Sequence, residues 1–160
     1  MSDRSSTGRE PRSSEAAELP PDMADELPGS QSMTGPGGVV TLEVPAEASY
    51  VSLVRTTTAA LAARADFTLD EIDDARVAID EACTLLLAGA GPGARMRYEG
   101  APGSDDLRAA VSIRPSGGEP PQRSSFAWTV LTALASDVEV ESTADGVVTI
   151  TVHCVRHPRP

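Results

Sequence analysis

Thr68-Leu69-Asp70-Glu71-Ile72-Asp73-Asp74-Ala75-Arg76-Val77-Ala78-Ile79-Asp80-Glu81-Ala82-Cys83-Thr84-Leu85-Leu86-Leu87-Ala88-Gly89 is the stretch that decides the fold. Thr68 and Glu71 stand at capping-box spacing: the Thr hydroxyl accepts from the Glu amide while the Glu carboxylate reaches back. The acidic residues that follow, up to Asp74, suit the positive end of a helix dipole. A 3.6-residue period gathers Ile72, Ala75, Ile79, Ala82, Cys83 and Leu86 on one side, which predicts a helix over about 68–88 with that side on a sheet. Gly89, Gly91, Pro92 and Gly93 end it. Asp74, Ala78, Glu81 and Leu85 fall on a second face. Leu85, Leu86 and Leu87 cannot all face one sheet, so at least one is expected against a lid, a dimer mate or a partner protein.

Upstream, Val39-Val40-Thr41-Leu42-Glu43-Val44 alternates, is β-branched and closes at Pro45, as a strand does. Residues 47–65 carry Val51, Val54, Thr58, Leu61 and Ala62 at helical spacing, and Asp66-Phe67-Thr68 breaks the pattern. Downstream, 95–99 and 107–113 read as strands around a turn at Gly100-Ala101-Pro102-Gly103. A Gly- and Pro-rich loop follows over 114–123. Ser124-Ser125 caps a third helix over 126–135, with Trp128, Leu131 and either Leu134 or Ala135 inward. Residues 138–142 and 147–155 form a hairpin around Ala144-Asp145-Gly146. The order β-α-α-β-β-α-β-β predicts an α/β two-layer sandwich, with a mixed, mostly antiparallel sheet and helices on one face.

Two domain-level expectations follow. Residues 1–38 are rich in Ser, Pro, Gly and acidic side chains without an apolar face, and are expected to be a disordered acidic tail; 39–160 form the domain. The net charge of −11 argues against a nucleic-acid surface. Every one of the 13 cationic side chains is Arg, which excludes Walker-type phosphate lysines and lysine Schiff-base chemistry. No apolar run reaches the ~20 residues of a membrane helix, and the first residues lack a secretory signal's apolar segment, so a cytoplasmic protein without membrane attachment is expected. Cys83 and Cys154 read as small buried thiols. His153, Cys154 and His157 do not make a metal centre, because strand neighbours alternate faces. No metal site is expected.

Val51-Ser52-Leu53-Val54-Arg55, the acid-rich second helix and the Glu within Ala78-Ile79-Asp80-Glu81-Ala82-Cys83-Thr84-Leu85 together resemble the anti-sigma factors and serine-protein kinases of the GHKL, or Bergerat-fold, ATPase class. The resemblance covers roughly 39–153 and implies the same two-layer layout. It also implies transcription regulation in stress responses. The expected partners are a sigma factor of RNA polymerase and an anti-anti-sigma antagonist, with pairing as a homodimer. By the resemblance, Arg55 contacts the partner proteins and Glu81 is the general base or water-orienting group, the one residual catalytic candidate.

The family's ATP-binding positions are altered. Four residues after Glu81, where the family carries a magnesium-ligating Asn, stands Leu85, which has no lone pair for a hard cation. The family's Asp-x-Gly-x-Gly, whose Asp accepts from adenine, aligns with Pro115, Gly117 and Glu119. A Gly-x-Gly step beneath the phosphates is replaced by Gln122-Arg123-Ser124-Ser125-Phe126, with Ser124 at the anion-binding helix start. Losing one charge-assisted hydrogen bond costs about 1.5–3 kcal/mol, so three departures in one pocket predict weak or lost binding of ATP and magnesium. Three readings stand: an anti-sigma factor with weak or lost kinase activity, an active ATP-dependent serine kinase acting on the antagonist, and a signalling interaction domain without a sigma partner.

Overall fold

The computed structural model describes residues 38–117 and 121–158; apart from Gly38, the tail expected over 1–38 lies outside them. The elements are β1 (Val40–Pro45), α1 (Val51–Arg64, entered through a 3-10 turn at Ala48–Tyr50), α2 (Leu69–Leu87), β2 (Arg95–Pro102), β3 (Asp106–Ile113), α3 (Phe126–Leu134), β4 (Asp137–Ser142) and β5 (Val148–Val155). The order matches the sequence pattern. The strands form one sheet, β1-β2-β3-β5-β4, in which every ladder is antiparallel. Among the described residues no helix is long and apolar enough to cross a membrane.

Alternation along the strands makes the two faces of the sheet chemically different. One row across the sheet carries Leu42, Tyr98, Val111, Ile150 and Val140, and the next carries Val44, Met96, Ile113 and Val148. These side chains, with the helices above them, are the core. The opposite face is polar and bears the ion pairs Arg95–Glu43 at 2.9 Å, Arg97–Glu99 at 2.6 Å and Arg108–Glu139 at 3.2 Å, together with a His153–Asp106 hydrogen bond at 2.9 Å. Helices therefore cover one face and charge the other, as the two-layer reading requires.

In α1 the buried residues are Val51, Val54, Thr58, Leu61 and Ala62, the stripe that helical spacing selects. Asp66 turns the chain with a φ of 57°, a left-handed conformation that Asp tolerates better than most side chains. The capping box then starts α2: the Thr68 amide donates to Glu71 Oε2 at 2.7 Å, and the Glu71 amide donates to Thr68 Oγ1 at 3.3 Å. α2 is the middle helix, packed on α1 and α3 as well as on the sheet. Leu85 and Leu86 are therefore both buried and Leu87 partly so, all within the chain. No external surface is needed to account for the three leucines.

One turn sits later than the sequence reading places it. Gly100, Ala101 and Pro102 belong to β2, paired with Ala109, Arg108 and Leu107, and the chain reverses after them at 103–105. Gly100 serves packing here: a Cβ would lie 2.4 Å from Leu61 Cδ1 and 2.5 Å from the Tyr98 hydroxyl, so α1 crosses close to bare backbone. Beside this crossing, Thr58 Oγ1 lies 2.9 Å from the Val54 carbonyl and 3.1 Å from the buried Tyr98 hydroxyl. Burial pushes the Tyr98 phenol up to about 12.

Candidate functional site

The site grows from three chain ends that the fold brings together. The last turns of α2 deliver Thr84, Leu85, Leu86 and Ala88. β3 delivers Ile113 and runs on into Pro115, and the start of α3 delivers Ser125 and Ala127. With Gly89, Pro121, Gln122 and Val148 these residues line an open cleft of about 350 Å³. Such a volume lies in the range of small-molecule pockets, roughly 300–1,000 Å³.

Two glycines seat the wall after β3. A Cβ on Gly89 would stand 3.1 Å from Pro115 Cβ, and one on Gly91 would stand 2.8 Å from Ser116 Cβ. The Ser116 amide donates to the Gly89 carbonyl at 3.0 Å, and the Ser116 hydroxyl lies 3.3 Å from the same oxygen. The end of α2 and the loop after β3 are thus joined at backbone distance. Gly89 itself is not left-handed; among the described glycines of this segment only Gly93 is, with a φ of 74°. On the far side, Ser125 is the N-cap of α3, its hydroxyl accepting from the Trp128 amide at 3.2 Å.

Of the residues selected from sequence, Leu85 and Pro115 line the cleft. Ser124 is exposed, and its neighbour Ser125 takes the place expected of it. Gly117 is exposed with nothing within 4 Å of where a Cβ would be, so no close approach occurs there. Glu119 lies outside the described residues. Glu81, one turn before Leu85, is partly buried and does not line the cleft. Its helix face is not a single surface, since Ala78 and Leu85 are buried while Asp74 is exposed. Arg55 stands away from the cleft, its Nη1 3.5 Å from Asp80 Oδ1 across the α1–α2 pair. Gln122, which opens the stretch replacing the Gly-x-Gly step, does line the cleft, whereas Thr84, Ala88 and Ala127 were missed. The signal for Thr84 and Ala88 was present, because they share one helical turn with Leu85.

No ionisable side chain is among the described lining residues of the cleft. The nearby arginines are directed elsewhere: Arg114 Nη2 lies 2.8 Å from Asp145 Oδ2, and the Arg123 guanidinium sits 5.1 Å from the centre of the Trp128 ring. Among the described residues no group of three or more His, Cys, Asp or Glu side chains could hold a metal ion. Cys83 and Cys154 are buried, and desolvation raises their thiols to about 12 and about 11, far from thiolate chemistry at neutral pH.

A five-stranded antiparallel sheet with three helices on one face, and a cleft between the ends of α2, β3 and α3, is a two-layer α/β sandwich consistent with a GHKL-like fold. No protein-family model matches the chain. It is 36% identical over 100 residues to the anti-sigma-F factor RsbW of Mycobacterium tuberculosis strain H37Rv, a match covering 62% of this chain and 60% of that protein. It is 42% identical over 48 residues to the serine-protein kinase RsbW of Bacillus cereus strain AH187, 30% of each chain. The match thus spans about three fifths of the mycobacterial relative. Over these stretches the chain is similar to RsbW proteins, one an anti-sigma-F factor and the other a serine-protein kinase.

Proposed function

We propose that the chain is an anti-sigma factor that sequesters an alternative sigma factor, is released by an anti-anti-sigma antagonist, and retains little or no kinase activity. The observation that carries the proposal is the 36% identity over 100 residues to an anti-sigma-F factor. The lining of the cleft supports the loss of chemistry. Leu85 offers no oxygen to magnesium, Pro115 offers no acceptor to adenine, and no described lining residue offers a charge to a triphosphate. Residual catalysis would fall to Glu81, and Arg55 is assigned to partner contact. The protein acts in the cytoplasm as a homodimer, with no direct contact to nucleic acid.

The 48-residue match to a serine-protein kinase favours a second reading, in which the chain phosphorylates the antagonist. Titration calorimetry with magnesium-ATP separates the two. No saturable heat in the micromolar range is expected, and a low-micromolar Kd would overturn the loss of nucleotide binding in favour of the kinase. Tagged protein recovered from its own cells is expected to carry a sigma factor. Recovery of the antagonist or other proteins without any sigma factor would overturn the anti-sigma assignment and leave a signalling interaction domain.

A further inference from the structure

We infer that residues 156–158 form a releasable strap over the start of α2, which opens while the rest of the domain stays folded and uncovers a small cavity walled by Cys154. The strap lies at the end of α2 remote from the cleft, and its release depends on neither the nucleotide nor the partner reading above.

The contacts that fasten the strap are polar. At its root the Val155 amide donates to Ser136 Oγ at 3.1 Å, and the Arg156 amide donates to the Asp105 carbonyl at 2.8 Å. The Arg156 guanidinium pairs with the Asp105 carboxylate. The His157 amide donates to Glu71 Oε1 at 2.7 Å, and His157 Nδ1 lies 3.1 Å from the same oxygen. Glu71 Oε2 meanwhile accepts from the Thr68 amide and hydroxyl, so one carboxylate closes the helix cap and holds the strap. Burial adds little to the closed form, because Pro158 is exposed and the His157 side chain is 85% exposed. Arg156 Nε is buried without a hydrogen-bond partner, a desolvation cost that opening relieves. Beneath the strap, Glu71, Asp74, Leu134, Ser136, Cys154 and His157 line a cavity of about 40 Å³. A segment held at the end of an element by a few polar bonds opens at far lower free energy than a packed core. Release of the strap and unfolding of the domain are therefore separate events.

The two cysteines report the two events. Cys154 is 8% exposed at the cavity wall, whereas Cys83 is 0% exposed in the core and becomes accessible when the domain unfolds. The test labels the full chain with dithiobis(nitrobenzoate) at neutral pH and locates each modified thiol by peptide mass. Cys154 is expected to react at least about ten-fold faster than Cys83. Asp105→Ala removes the carboxylate that holds Arg156 and leaves the capping box untouched. It is expected to speed Cys154 at least about three-fold, with Cys83 within about two-fold and little change in Tm. Glu71→Gln, which weakens the other fastening, is expected to act in the same direction on Cys154. Asp73→Ala breaks the exposed Arg76–Asp73 pair on the same helix and is expected to leave both rates within about two-fold. Equal rates for the two thiols in the unaltered chain would overturn the strap, since both would then wait on unfolding. So would a Cys154 rate unchanged in both Asp105→Ala and Glu71→Gln, or equal acceleration of both thiols in both variants.

Discussion

Arg55 shows how much a single side chain's setting changes its meaning. Its ion pair with Asp80 is long, at 3.5 Å, and both side chains are more than a third exposed, so the pair contributes no more than about 1 kcal/mol to stability. The guanidinium is therefore available at low cost to a carboxylate on a partner. Arg55→Glu is expected to weaken the proposed sigma-factor complex several-fold or more at low salt, an effect that shrinks as salt rises. Arg55→Ala and Asp80→Ala should each leave Tm within a few degrees. Unchanged affinity of Arg55→Glu at low salt would remove the residue from the interface. At the same scale, Leu85 and Pro115 were legible as neighbours, because resemblance ties a helix position to a strand end. Gly117 was not: its sequence context is that of a close-approach glycine, yet the approach is made by Gly89 and Gly91 from the other side of the joint.

Among the elements, α2 was the most legible, since its cap, its apolar stripe and its Gly-rich exit agree locally. The end of β2 was not. Gly100 and Pro102 carry turn chemistry, but the decisive interaction is Leu61 of α1 lying against Gly100, a contact between segments far apart in the chain. The edges of the sheet are β1 and β4, the latter because β3 pairs with β5. The exposed side of β1, with Val39 and Val40 partly open, offers unpaired backbone groups to a second copy. Light scattering of the full chain at working concentration is expected to give a dimer mass, and Thr41→Pro, which removes one amide from this strand, tests whether the edge takes part. A monomer mass for the unaltered chain would refute the homodimer.

At the scale of the molecule, Glu71 binds the start of one helix to residues near the far end of the chain. Its carboxylate accepts from the Thr68 amide and also from the His157 amide, at 2.7 Å each. These bonds, the Thr68 amide first, hold its pKa at about 2 instead of the ordinary 4.5. The sign is that of a depressed carboxylate. The stabilisation is complete above about 4.5, is lost progressively as pH falls, and is gone below about 2. Acid unfolding followed by circular dichroism should therefore be shallower for Glu71→Gln than for the unaltered chain in that window. Parallel curves would show that Glu71 does not govern the transition. Much of the charge elsewhere is locally paired on the open sheet face, so salt should act on partner binding more than on folding.

The pairing of β1 with β2, Val40 opposite Gly100, encloses the whole helical hairpin between the two strands. The hairpin is local in sequence and carries its own start signal, whereas the β1–β2 ladder joins segments about 60 residues apart and has the larger loop to close. Held by one ladder at the rim, as β4 is at the other edge, β1 can open with the loss of a single ladder. A partner that paired with the free side of β1 would therefore act on the closure of the helical hairpin as well as on the sheet edge.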